Sequence, residues 1–114
     1  MTASTSMTGG PHLAQERRLV TDLPGPNSSA LLAERDRAVA KGVGITLPVF
    51  VAAVGGGVIC DVDGNSLIDF GSGIAVTSVG NSAPAVVERV QQQVERFTHT
   101  CFMVTPYEGY VQVC

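Results

Sequence analysis

From Gly42 to Cys60 the chain carries no charged residue, and this stretch constrains the fold more than any other. Its length approaches that of a spanning helix, about 20 residues. Gly42, Gly44, Pro48 and Gly55-Gly56-Gly57 nevertheless cut it into short pieces rich in β-branched residues, which read as buried strands and not as a membrane segment. Val49 to Val54 forms a first strand, the glycine triplet a tight turn, and Val58 to Val62 an antiparallel return. Asp63-Gly64-Asn65 closes a hairpin, because Asp-Gly tolerates positive φ, and Ser66 to Phe70 follows as a third strand. The expectation is a small antiparallel meander.

Helical patterns flank it. An arm from Arg17 to Pro26 leads to Asn27, Ser28 and Ser29, which offer N-caps for a helix running to about Lys41, with Leu31, Leu32, Ala38 and Val39 at helical spacing. Gly42 is expected to end it in the left-handed conformation. Gly71-Ser72-Gly73 breaks the pattern before Ile74-Ala75-Val76-Thr77; its glycines permit close approach to a ligand or to another subunit. A second helix, opened by Ser82 and Pro84, runs to about Phe97 with Val86, Val90, Val94 and Phe97 on one stripe. Thr105-Pro106-Tyr107-Glu108 reads as a capping box, Thr105 capping and Glu108 reaching back. That helix starts at Thr105 and has no stop signal before Cys114, so the chain is expected to be part of a longer protein. Residues 1–16 are expected to be disordered and residues 17–104 to form one segment.

At 114 residues and a net charge of −3, the chain offers one domain at most and no basic patch for nucleic acid or a membrane surface. Cys60, Cys101 and Cys114 are odd in number and widely spaced. Without a secretory leader they read as free thiols in a reducing cytoplasm. Asp61-Val62-Asp63-Gly64-Asn65 lacks the Gly and Glu positions of a calcium loop. Neither glycine cluster matches a phosphate-binding motif. His99 and Cys101 share a face if extended, but a packed histidine beside a small thiol is the simpler reading than a nucleophilic pair. A zinc site from Cys60, His99, Cys101 and Cys114 lacks ligand spacing. Lys41, the only lysine, falls in the last turn of a helix, where a solvated cation suits the dipole and a Schiff base does not. No catalytic residue and no metal ligand is assigned.

Two segments carry a resemblance. The run from Val62 to Val76 resembles the D-x-x-G-x-x-x-x-D-x-x-x-G-I-A-V signature of class III aminotransferases, followed by Gly80-Asn81 and Pro84 where that family has G-[HN]-x-x-P. Phe97-Thr98-His99-Thr100 and Pro106-Tyr107-Glu108 resemble the F-T-H-T…P-Y-E stretch of the branch acting on 4-aminobutyrate. This resemblance spans roughly residues 17–114. It implies an α/β chain, the N-terminal part of the fold-type-I PLP-dependent transferase fold, with residues 105–114 opening a helix of the large domain. It further implies a homodimer using pyridoxal 5'-phosphate to move an amino group from 4-aminobutyrate to 2-oxoglutarate. The groups that anchor the cofactor are expected beyond residue 114, so the chain alone is expected to be inactive. Gly73 and Ile74 are carried over as substrate-pocket residues. Met103 joins them at a position where some relatives have a glutamine whose hydrogen bonds a thioether cannot make. A relative acting on 5-aminovalerate or ornithine, and a non-catalytic binding module, are the alternatives.

Overall fold

The computed structural model describes residues 10–114, which form two compact units, one ending at Pro84 and the other spanning Ala85–Cys114. A 3-10 turn at Gly10–His12 precedes helix α1 (Pro26–Ala38), strands β1 (Val51–Gly55), β2 (Val58–Asp61) and β3 (Ser66–Ile68), a one-turn α2 (Ser72–Ala75), and helices α3 (Pro84–Arg96) and α4 (Glu108–Val113). The mixed α/β architecture is the one expected. Among the described residues no helix is long and apolar enough to cross a membrane.

The three strands form an antiparallel sheet in the order β1-β2-β3, which is the meander read from the glycine punctuation. Gly55 pairs with Val58, Val54 with Ile59 and Ile59 with Leu67, with an irregularity between Val51 and Ala53. The central strand is bonded on both edges, and its alternate residues Val58 and Cys60 are the buried hydrophobic residues of the sheet. Burial, and then the neighbouring charge of Asp61, pushes the Cys60 thiol above its usual pKa.

Gln15 seals the glycine turn. Its side-chain amide donates to Gly55 O at 2.9 Å, and its Oε1 accepts from Gly57 N at 3.0 Å. Residues 10–16, part of the stretch 1–16 for which disorder is expected, are among the described residues; residues 1–9 lie outside them. At the opposite end of the sheet Asp61 and Asn65, both fully buried, hold the hairpin loop. Asp61 Oδ1 accepts from Asp63 N and Asn65 N, and its Oδ2 accepts from Asn65 Nδ2 at 2.8 Å. Asn65 Oδ1 accepts from Val20 N and Thr21 N, and Nδ2 also donates to Thr21 Oγ1. The arm expected after Arg17 is thus bound along β3, where Arg18 and Ser66 exchange backbone hydrogen bonds.

Helix α1 departs from expectation at both ends. Its N-cap is Gly25, with Pro26 in the first turn, and the capping acceptor comes from the hairpin. Asp63 Oδ1 accepts from Asn27 N at 2.7 Å and Oδ2 from Ser28 N at 2.9 Å. A carboxylate at this position also complements the helix dipole. A side chain at Gly25 would overlap the Asp63 carboxyl group, so this approach needs glycine. The helix ends at Ala38 rather than near Lys41, because Val39 turns extended (φ −100°, ψ 136°). Gly42 lies instead in a turn closed by Val43 N donating to Ala40 O, without positive φ. Ser28, not the leucine pair, is the fully buried residue of α1.

Desolvation pushes the Asp63 carboxyl upward, but hydrogen bonds from the Ser28 hydroxyl and from the Ser28 and Asn27 N–H groups outweigh it and hold its pKa below the usual value. A depressed carboxylate contributes stability that is complete above its unfolded pKa and is lost as pH falls through the folded one, here below about pH 4. Urea unfolding is expected to show this acid-side loss, and Asp63→Asn to be weaker at neutral pH with a flatter acid limb. An unchanged acid limb in that variant contradicts the assignment.

In the second unit α3 matches its expected span, but Val86, Val90 and Val94 of its stripe are each more than half exposed. The capping box does not form. Thr105 N donates to Cys101 O, closing a turn, and α4 starts at Glu108 with extended Tyr107 as N-cap and no side-chain cap. Tyr107 is drawn into an aromatic cluster, with its ring 5.6 Å from Phe97 and 5.4 Å from Phe102, while Phe102 lies 4.5 Å from Tyr110. The edge-to-face pairs of Tyr107 with Phe97 and Phe102 add about 0.5–1.5 kcal/mol each, together more than the roughly 1 kcal/mol typical of one cap. Glu108 instead accepts from Gln112 Nε2 at 2.7 Å.

Candidate functional site

The bend after β3 is a single left-handed turn. Ser72, Gly73, Ile74 and Ala75 have φ of 48°, 62°, 63° and 62°. Only glycine adopts this conformation freely; each other residue costs roughly 1–2 kcal/mol. Hydrogen bonds from Ile74 N and Ala75 N to Gly71 O and from Val76 N to Ser72 O close the turn, and the Ser72 and Thr77 hydroxyls meet across it.

Asp69 stands at its base. Its Oδ1 accepts from Gly71 N at 3.1 Å and Ser72 N at 2.8 Å, and its Oδ2 accepts from Asn81 Nδ2 at 3.2 Å. Asn81 in turn exchanges both backbone hydrogen bonds with Gly56, each 2.8 Å long, where Gly56 sits at φ 55°. One carboxylate therefore joins the start of the loop 71–80 to its end, and the end is fastened to the glycine turn. The outcome is an outward display: Ile74 is 95% exposed, and Phe70, Val76 and Val79 are also exposed.

The expected pocket residues fall in two places. Gly73 and Ile74 are adjacent on the left-handed turn. Met103, 92% exposed, lies in the second unit on the turn closed by Val104 N and Thr105 N donating to Cys101 O. A cleft of about 450 Å³ in that unit is lined by Arg89, Arg96, Phe97, His99 and Tyr107 among others, but not by Met103. His99 lines this cleft while Cys101 is exposed outside it, so the two are not gathered as a nucleophilic pair. Among the described residues no His/Cys/Asp/Glu cluster could hold a metal ion.

Asp69 and Asn81 are not among the residues that the resemblance assigns to the site. The signal was present, since both stand at signature positions of the motif, but what they bond could not be read from spacing.

The family is shown by comparison. Residues 38–114 match the model of the family described as Aminotransferase class-III, and the chain belongs to that family. It is 68% identical over 101 residues to the 4-aminobutyrate aminotransferase of Mycobacterium tuberculosis, covering 89% of this chain and 22% of that protein. The corresponding Mycobacterium leprae enzyme is 63% identical over 99 residues, covering 87% of this chain and 22% of that protein. The 5-aminovalerate aminotransferase of Pseudomonas putida is 44% identical over 87 residues, covering 76% of this chain and 20% of that protein. The chain thus spans about a fifth of the length of the curated relatives it matches.

Class III membership implies pyridoxal 5'-phosphate in the full-length enzyme, and the described residues do not fit as its holders. Lys41 is exposed and lies past the end of α1, packed against no site that would receive the cofactor among the described residues. The N–H groups of Gly56 and Gly57, which could otherwise donate to a phosphate, are given to Asn81 O and Gln15 Oε1.

Proposed function

We propose that this chain is the N-terminal segment of a cytoplasmic, homodimeric aminotransferase. Its reaction passes an amino group from 4-aminobutyrate to 2-oxoglutarate, giving succinate semialdehyde and glutamate, with the cofactor anchored by parts of the polypeptide other than residues 10–114. One observation carries this reading: the chain is 68% identical to a mycobacterial 4-aminobutyrate aminotransferase over a stretch that includes the left-handed turn. The display of Ile74 supports its role, with Gly73, in a substrate pocket completed by other parts of the enzyme. The exposed Val86, Val90 and Val94 are consistent with a covering surface from the rest of the polypeptide or its partner. The Pseudomonas putida relative favours 5-aminovalerate as a second donor.

In this account the chain's residues shape and orient rather than react. An ω-amino acid places its amine remote from its carboxylate, so a rigid apolar wall beside the methylene chain helps to fix which end reaches the reacting centre. The test is glutamate formation from 2-oxoglutarate by the full-length polypeptide with 4-aminobutyrate or 5-aminovalerate as donor. Transfer from 4-aminobutyrate is expected, with none from the 114-residue chain alone. Activity in the isolated chain contradicts the assignment of cofactor anchoring elsewhere.

A further inference from the structure

We infer that Asp69, together with Asn81, is a positioning residue for the substrate pocket: it holds the left-handed turn that presents Gly73 and Ile74. The inference rests on the pocket reading above. Three non-glycine residues of the turn occupy a backbone region that L-residues disfavour, so the turn persists only where the surroundings over-determine it. Asp69 supplies that determination at three points, accepting from Gly71 N, Ser72 N and Asn81 Nδ2. Hydrogen bonds to a carboxylate are about twice as strong as neutral ones. No other side chain of the described residues bonds to the N–H groups that enter the turn.

The carboxylate also couples two distant anchors. Asp69 N donates to Gly57 O, and Asn81 bonds Gly56 in both directions, so both ends of the loop 71–80 stand on the same glycine turn. Severing Asp69 from Asn81 leaves both strand-side anchors in place and frees only the loop between them. A displaced Ile74 then weakens donor binding without touching the groups that move protons, which places the effect on KM rather than kcat.

The experiment uses a full-length polypeptide in which these residues replace the matching part of the Mycobacterium tuberculosis relative. Amide exchange at Ser72 and steady-state kinetics with 4-aminobutyrate are measured on the same variants. Asp69→Ala is expected to speed Ser72 exchange about tenfold and to raise KM about tenfold, with kcat within about twofold. Asp69→Asn keeps an acceptor for Gly71 N and Ser72 N, and the Asn81 amide can rotate to meet it, so this variant is expected to stay within about threefold of the parent. Asn81→Asp sets two carboxylates against each other and is expected to resemble Asp69→Ala, while Asp69→Asn combined with Asn81→Asp restores the pair. Unchanged Ser72 exchange in Asp69→Ala, or failure of Asp69→Asn to restore KM, overturns the inference. If Ile74→Asp raises KM while Asp69→Ala does not, the positioning role fails and the pocket reading stands. If neither substitution moves KM, the pocket reading fails and the inference with it.

Discussion

Asn65→Ala is expected to cost the sheet-containing unit about 3 kcal/mol of stability. Asn65 is fully buried, and both ends of its amide are engaged. Alanine removes the acceptor for Val20 N and Thr21 N and the donor to Asp61 Oδ2 and Thr21 Oγ1. Each buried group left without a partner costs about 1–3 kcal/mol, whereas a satisfied hydrogen bond contributes only about 1 kcal/mol net. The loss is therefore governed by what is orphaned. Because the arm from Arg17 onward is bound here, exchange at the Val20 and Thr21 amides should accelerate before the strand amides do. The urea midpoint and those two amides are the readouts; a loss under about 1 kcal/mol shows that the arm is held some other way.

The second large effect is on catalysis. Ile74→Asp in the full-length polypeptide is expected to lower kcat/KM for 4-aminobutyrate about a hundredfold, which corresponds to about 3 kcal/mol. The side chain is 95% exposed among the described residues, so its removal costs little local packing. Aspartate also tolerates positive φ better than a β-branched residue does, so the turn at φ 63° is expected to persist. What changes is the wall offered to a substrate whose carboxylate then meets a like charge. A large kinetic loss without loss of stability is the signature of a pocket residue. Unchanged kinetics place Ile74 away from substrate.

Much of this architecture was legible because its determinants are local. Gly64 at φ 87° in the hairpin and the short span between Gly55 and Val58 follow from residue types that favour these turns. Helix α3 follows from Pro84 and a valine periodicity that its span matches. The failures share a different cause, a partner distant in sequence. The cap of α1 comes from Asp63, 36 residues after Asn27, and no local pattern announces it. Thr105 and Glu108 satisfy a local rule, but Tyr107 gains more by joining Phe97 and Phe102. At the candidate site the motif pointed to Gly73 and Ile74, yet a left-handed Ile74 and Ala75 oppose their own propensities. Such a conformation survives only through tertiary bonds like those of Asp69, which become visible once the loop's ends are seen together.

The turn at residues 72–75 is proposed to serve an enzyme whose amino donor carries its amine at the ω-position. The most direct measurement is the donor preference of the full-length polypeptide, read as 2-oxoglutarate-dependent glutamate formation. Turnover is expected with 4-aminobutyrate, weaker or comparable turnover with 5-aminovalerate, and a loss of both on Ile74→Asp. Absence of transfer from either ω-amino acid, in a polypeptide that binds pyridoxal 5'-phosphate and is folded, contradicts the proposal.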